Sequence, residues 1–304
     1  MDNTLVIVTG PTASGKTDLA INIAREIGCD ILSADSRQIY MGLPIGTAAP
    51  SAEQLAQVRH HFVGILPLDA YYSAAQYEED VMKLLLEMWR KNNIAVMCGG
   101  SMMYIDAVTK GIDELPTIST RVREEVKALY ERGGNEALIE KLRLVDPKYL
   151  ERADLNNSKR LIHAIEITLE AGAPCSSLLT GKSKTRDFNI VKIAIDYPRE
   201  QLFDRINRRT DAMIAAGLED EARSVYHLRH LNSLNTVGYK EMFAMMDGVM
   251  DRDTAIARIA KNTRVYAKKQ LLWLSKDPSV IRLSPEGDLT AKALEAVYAS
   301  ISSR

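Results

Sequence analysis

The sequence predicts an α/β protein: a parallel sheet core into which an all-helical domain is inserted. Three observations predict it. Short β-branched apolar runs alternate with helix-spaced segments from Leu5 to Cys98, the rhythm of parallel strands joined by crossover helices. No convincing strand occurs over residues 113–187. A strand pattern then returns at Val191-Lys192-Ile193-Ala194-Ile195, so the helical stretch interrupts one core. The implied boundaries are a first core part at 1–112, a helical insertion at 113–188, and a core continuation with C-terminal helices at 189–304.

Leu5-Val6-Ile7-Val8, bounded by Gly10 and Pro11, reads as a buried strand. Leu19, Ala20, Ile23, Ala24 and Ile27 recur at helical spacing over 16–27, and Gly28 follows as a stop. Residues 30–34 form a second strand that delivers Asp35 at its carboxyl end. A helix over 74–92 precedes a third strand, Ile94 to Cys98, which ends at Gly99-Gly100. The insertion reads as helices over 121–132, 135–145, 147–153 and 158–171, punctuated by Gly133-Gly134, Asp146-Pro147 and Gly172. Residues 176–187 are polar and turn-rich. Beyond the returning strand, helices are expected over 199–216, 218–229, 254–275 and 290–302.

Composition narrows the class. With 304 residues, 46% hydrophobic and 26% charged, the chain can bury a full core, which excludes wholesale disorder. Lys and Arg number 39 against 40 Asp and Glu. That balance excludes a bulk polycation and leaves room for a local basic surface. Cys29, Cys98 and Cys175 are far apart and lack a His cluster, so neither a disulfide framework nor a zinc site is expected. The chain starts without a basic n-region, and its first apolar run is too short to span a membrane. A soluble cytoplasmic protein with no membrane partner is the expectation.

One motif is strong. Gly10-Pro11-Thr12-Ala13-Ser14-Gly15-Lys16-Thr17 fits G-x-x-x-x-G-K-[ST], the phosphate loop, between a strand and a helix. Its glycines let backbone N–H groups curl round an anion, and the helix dipole points at it. Lys16 adds a point charge, and the Thr17 hydroxyl can ligate Mg²⁺. The core is therefore expected to be P-loop NTPase-like. The loop reports a di- or triphosphate without saying which bond breaks.

Other residues admit two readings. Asp35, before Ser36-Arg37-Gln38, suits a general base or a magnesium ligand; a helix cap explains it as well. Arg37 and Gln38 suit hydrogen bonds to a phosphate and a base. Gly99-Gly100-Ser101 stands where a P-loop ATPase often carries a magnesium-binding Asp. That weakens plain ATP hydrolysis and would let a substrate approach the backbone. Tyr104 is a core residue or a stacking platform. Arg205 and Arg209 share a helix face that suits pyrophosphate or solvent alike. Between Arg258 and Lys276 six basic residues and no acidic one interleave with Tyr266 and Trp273. That pattern is a footprint for nucleic-acid phosphates or a solvated helix face. His60-His61 lacks metal-ligand spacing, and the Met102-Met103 and Met245-Met246 pairs read as packing residues.

Taken together, the chain resembles the tRNA dimethylallyltransferases, or tRNA isopentenyltransferases, of the bacterial type. The resemblance covers nearly the whole length. It rests on an ordered set: GPTASGKT at 10–17, DSRQIY at 35–40, IGTA at 45–48, HHFVGIL at 60–66, YSAAQY at 72–77, the GGS…Y of 99–104, LNTVGYKE at 234–241 and TRVYAKKQLLWL at 263–274. The resemblance implies transfer of a dimethylallyl group from its diphosphate to N6 of the adenosine beside the anticodon, with Mg²⁺ assisting. It implies that residues 12–17 hold the diphosphate, that Asp35 is the base, and that Arg209 serves the diphosphate. It places Asp35, Ser36, Arg37 and Gln38 at the flipped-out adenosine, and Ser101 and Arg123 at tRNA or the reaction. Lys159, Arg160, Leu161, Ile162 and His163, and Asn235, Thr236, Val237, Gly238, Tyr239 and Lys240, match tRNA-contacting stretches. The expected partners are a tRNA anticodon stem-loop and dimethylallyl diphosphate, and the expected state is a monomer. Ser101 stands where the family usually has Thr, His163 where Arg is common, and Ala49 where Lys is usual. The rival readings are a P-loop kinase of a metabolite or nucleotide, a prenyltransferase of free AMP, ADP or ATP, and an RNA-binding module without activity.

Overall fold

The computed structural model describes residues 2–113, 115–181 and 183–302. Its backbone divides into two units, Met1–Thr109 with Arg186–Arg304, and Lys110–Thr185.

The first unit is built on a six-stranded sheet in the order β3-β2-β4-β1-β5-β6. Its strands are β1 Thr4–Thr9, β2 Ile31–Ser33, β3 His60–His61, β4 Ile94–Gly99, β5 Asn189–Ile195 and β6 Val280–Leu283. Every pairing is parallel, which confirms the expected α/β class. Alternation along β1 feeds two cores: Leu5 and Ile7 enter one apolar cluster, Val6 and Val8 the other. Because all strands run one way, their carboxyl ends share one edge. The phosphate loop, Asp35 and the Gly99-Gly100 turn all leave the sheet there, the usual position for a site in such folds.

Two strands escaped the sequence reading. β3 is two half-buried histidines, and β6 carries the exposed Arg282 in its middle. Neither offers the continuous apolar run of a central strand. The helices of this unit are α1 Lys16–Ile27, α2 Ala52–Gln57, α3 Ala74–Met88 and α4 Met102–Lys110, whose last residue lies in the other unit. After the insertion come α9 Arg199–Ala215, α10 Leu218–Ser224, α11 Tyr239–Met246, α12 Arg252–Ser275 and α13 Leu289–Ser302. The helix expected over 218–229 stops early: Ser224 Oγ donates to its own preceding turn at Glu221 O (2.7 Å), and Val225 leaves helical geometry. A 3₁₀ turn, Tyr226–Leu228, follows. Tyr104, on α4, is buried and stacked on Tyr77 at 4.1 Å between ring centroids, so it is core. Met103 is 67% exposed, against the packing role expected of it.

The second unit is helical: α5 Thr120–Val145, α6 Pro147–Leu150, α7 Ser158–Ala171 and α8 Cys175–Leu178. α5 is broken at Gly134, whose φ of 58° lies outside helical space, which reproduces the split expected at the glycine pair. Val122, Val126, Leu138, Leu142, Leu161 and Ile165 form this unit's own core. The wholly buried Asp146 caps α6 through Tyr149 N–H (3.1 Å). It also accepts from Ser176 N–H (2.7 Å) and Ser176 Oγ (2.6 Å).

Candidate active site

The phosphate loop closes over positive φ angles at Gly10 (143°), Ala13 (64°) and Gly15 (83°), conformations that glycine adopts without strain and alanine only when held. What holds Ala13 is Arg205, whose Nε donates to the Ala13 carbonyl at 2.7 Å while its guanidinium covers the Tyr197 ring at 4.7 Å. Lys16 opens α1 and bends its ammonium back to the Pro11 carbonyl (3.3 Å). Burial holds its pKa below the lysine range, and the nearby Arg209 adds to this, while Cys98 and Asp35 oppose it. Ser14 Oγ is buried without a hydrogen-bond partner. The Cys98 thiol beneath the loop is pushed up to about 11 by burial, which makes it inert.

A cavity of about 430 Å³ opens at this edge of the sheet. It brings together Thr12, Lys16, Thr17 and Arg209 with Asp35, Ser36, Arg37, Gln38 and Ser101. Asn235, Thr236, Val237 and Lys240, from the loop before α11, line it too. A second cleft of about 410 Å³ shares Lys16, Thr17, Ala48 and Arg209 with the first and adds Arg205 and Arg208. The phosphate loop is therefore reachable from two directions within this unit.

Asp35 satisfies both of its readings. Its Oδ1 caps the following turn, accepting from Arg37 N–H (2.9 Å) and Gln38 N–H (3.2 Å). Its other oxygen makes no hydrogen bond to a described residue and is left for a proton or a cation. Ser101 Oγ accepts from Ser36 N–H at 2.9 Å, tying the turn after β4 to this one. Arg37 is anchored on one side, its Nη1 donating to the Asn232 carbonyl at 2.6 Å. Gln38 Nε2 donates to the Thr47 and Ala48 carbonyls (3.2 and 3.0 Å), and Arg209 Nη2 reaches the same Ala48 carbonyl at 3.4 Å. The loop carrying those carbonyls is itself gripped by Glu221, which accepts from Ile45 N–H (2.8 Å) and Gly46 N–H (2.7 Å). Of the two arginines sharing a face of α9, Arg205 braces the loop and Arg209 faces the cavity. Burial lowers the Arg209 pKa while Asp35 opposes the shift.

The glycine pair has a different purpose from the one its sequence suggests. A Cβ at Gly99 would collide with the Ala34 carbonyl, and one at Gly100 with the Gln270 carboxamide. Protein atoms fill the direction of each missing Cβ, while both glycines also line the cavity. Gln270 sits on the buried face of α12, 3% exposed. Its Oε1 accepts from Thr12 N–H (2.9 Å), and its Nε2 donates to the Gly100 carbonyl (2.8 Å). Sequence reasoning missed it, because a lone Gln within a basic helix looks like part of a solvated face. Tyr266, one turn earlier, lines the same cavity, and burial pushes its phenol up to about 12.

Two residues of the stretches expected to meet RNA turn their side chains inward. Tyr239 is wholly buried, its hydroxyl donating to Glu221 and its ring occupying the space a side chain at Gly46 would need. Leu161 is equally buried in the helical unit's core. Gly238 (φ 101°) turns the chain into α11, its N–H donating to Glu241 Oε2 at 2.8 Å. In the helical unit, Arg123, Lys159, Arg160 and His163 are exposed and Ile162 is half-buried. No helix among the described residues is long and apolar enough to cross a membrane, and no three His, Cys, Asp or Glu side chains among them gather as a metal cluster.

Comparison with known proteins agrees with this layout. The family model for IPP transferase matches residues 38–277. The chain is 49% identical to tRNA dimethylallyltransferase 1 of Phocaeicola vulgatus, over 94% of this chain and 95% of that one. It is 50% identical to tRNA dimethylallyltransferase 2 of Porphyromonas gingivalis, over 94% and 96%. Among solved structures, the tRNA isopentenylpyrophosphate transferase of Bacillus halodurans aligns with a TM-score of 0.72 and 32% identity, covering 100% of this chain and 98% of that one. A eukaryotic dimethylallyltransferase acting on tRNA aligns at 0.84 over 99% of this chain and 80% of the other; at 19% identity it attests the fold alone.

Proposed function

The chain belongs to the IPP transferase family, the tRNA dimethylallyltransferases, and from that premise we propose how its own residues divide the work. The reaction of the family transfers a dimethylallyl group to tRNA. Here the acceptor is N6 of the adenosine beside the anticodon, and the donor is dimethylallyl diphosphate. The observation that carries this reading is a single cavity holding the phosphate loop and Arg209 together with the half-free Asp35 carboxylate.

The diphosphate lies against the loop amides that open α1. The amides of Gly15, Lys16 and Thr17 have no helical carbonyl to serve. Lys16 and Arg209 balance the charge that grows as the allylic C–O bond breaks and its electron pair goes to the leaving diphosphate. The N6 lone pair forms the new C–N bond, and the free Asp35 oxygen takes the N6 proton. Gln38, anchored by its Nε2, keeps its carboxamide oxygen for the base edge. The target base must leave its stack to reach this cavity, which is easier in an anticodon loop than in a duplex. Lys240, with the exposed cations of the helical unit, attracts tRNA phosphates.

The Thr17 hydroxyl beside the phosphate loop fits Mg²⁺: it is a hard oxygen ligand, suited to an ion completed by water and phosphate oxygens. Bound there, the ion would supply additional charge neutralisation at the diphosphate.

The test is incubation with labelled dimethylallyl diphosphate and, separately, tRNA, AMP and ATP. Label should move to tRNA. Transfer to AMP or ATP instead, or consumption of ATP with the allylic diphosphate intact, would overturn the reading.

A further inference from the structure

Helix α12 has two unlike faces. Arg258, Lys261, Lys268 and Lys269 are exposed on it, while Gln270 is buried against the sheet edge. A carboxamide is costly to bury unless both of its ends are bonded. Both are, and to two different parts of the site: Oε1 takes Thr12 N–H of the phosphate loop, and Nε2 gives to the Gly100 carbonyl in the turn after β4. A Cβ at Gly100 would meet the Gln270 amide nitrogen where it now sits, so a side chain there would displace the carboxamide from this position. Thr12 N–H is thereby withdrawn from any anion, and the loop's entry is pinned at a fixed distance from the turn that carries Ser101.

We infer that Gln270 is a positioning residue for the allylic diphosphate: it clamps the entry of the phosphate loop to the Gly99-Gly100 turn, so that the remaining loop amides are held ready for the leaving group. No bond to the substrate is required of it. The inference rests on the assignment of the loop to the diphosphate, and it explains why a neutral two-ended side chain stands among cations. Lysine or arginine there could donate to Gly100 but could not accept from Thr12.

The experiment uses the full chain with two substitutions, Gln270→Met and Gln270→Glu. Binding of dimethylallyl diphosphate is measured by calorimetry, and steady-state prenylation of a tRNA anticodon stem-loop is followed in parallel. Gln270→Met fills similar space and loses both bonds. It should raise KM for dimethylallyl diphosphate about 10- to 100-fold, with KM for the RNA changed less than about 3-fold. Gln270→Glu distinguishes clamping from filling. A protonated carboxyl can accept from Thr12 and donate to Gly100 as the carboxamide does, whereas a carboxylate cannot donate. Its kcat/KM for the diphosphate, relative to the unsubstituted chain at each pH, should rise between about pH 8 and about pH 6 and exceed that of Gln270→Met at the acid end. Normalising at each pH offsets the titration of Lys16 and Tyr266, which both proteins share, with Asp35 and Arg209 among the other charged groups of the cavity.

An unchanged KM for the diphosphate in Gln270→Met, or a Gln270→Glu no better than Gln270→Met at low pH, would overturn the inference. If the unsubstituted chain itself fails to bind dimethylallyl diphosphate, the assignment of the loop fails first, and that outcome is recognisable before either variant is made.

Discussion

Two aspartates, one in each unit, use their carboxylates to opposite ends. In the helical unit Asp146 is wholly enclosed, and both of its oxygens are engaged, by Tyr149 and Ser176. In the sheet unit Asp35 gives one oxygen to its own turn and keeps the other uncommitted beside a cavity. Buried position alone would single out Asp146. Unspent hydrogen-bonding capacity singles out Asp35. A group whose lone pairs are all satisfied holds structure, and one with capacity left over at a cavity can take a proton or a cation.

The largest effects should separate these two carboxylates. Asp35→Ala should lower single-turnover prenylation of bound tRNA by about 10²- to 10⁴-fold, the range for loss of a general base, with the melting temperature little changed. Near-normal turnover would end the comparison. Asp146→Ala should do the reverse. It strands three donors in a core and should cost about 2–4 kcal/mol in urea denaturation. Affinity for dimethylallyl diphosphate should stay as it was, because the loop that binds it belongs to the other unit. A fall in diphosphate affinity matching the fall in stability would show that the units do not divide the work in this way.

The phosphate end of the site was legible because the loop's chemistry is local. Eight consecutive residues, a strand before and a helix after suffice to place Lys16 and Thr17. Gln270 and Glu221 were not, since their partners lie far along the chain: Gln270 meets Thr12, and Glu221 meets Ile45 and Gly46. Only folding creates those pairs. Tyr239 is the opposite case. It lies in a stretch whose neighbours line the cavity, yet its ring turns inward to Gly46. Membership of a functional segment does not fix which way each side chain points. Of the fold, the four central strands were legible, even β5, whose one charge, Lys192, is flanked by apolar residues. The edge strands β3 and β6 were not, for one is two residues long and the other carries a charge.

A smaller effect tests the electrostatics of the phosphate end. Burial holds Lys16 below the ordinary lysine range, so its charge is lost at a lower pH than that of an exposed lysine. Above about pH 8, where an alkyl diphosphate is fully ionised, affinity for dimethylallyl diphosphate should fall about tenfold as pH climbs through that lowered value. The unfolded chain keeps the Lys16 proton longer than the folded one. Over the same interval it binds more protons, and the unliganded fold gains stability. Calorimetric affinity and thermal stability should therefore move in opposite directions, and Lys16→Arg should flatten both trends. Parallel declines would mean that a group other than Lys16 dominates.

The smallest effect decides which unit meets the RNA backbone. Cations are exposed in both: Lys159 and Arg160 at the start of α7, Lys261 and Lys269 on α12. A cation that neutralises one RNA phosphate contributes about 0.7 to the slope of log affinity against log salt, and its loss weakens binding only a few-fold at moderate ionic strength. Lys159→Gln should lower that slope by about this amount, and so should Lys261→Gln, if each unit contacts a phosphate. Single substitutions read by fluorescence anisotropy at several salt concentrations separate the cases. A reduced slope for Lys261→Gln with none for Lys159→Gln would confine docking to the sheet unit and leave the helical unit's cations as a solvated face. The reverse would assign capture of the RNA to the helical unit, where Asp146 and Leu161 hold the structure while Lys159 and Arg160 are exposed, and leave the sheet unit the chemistry alone.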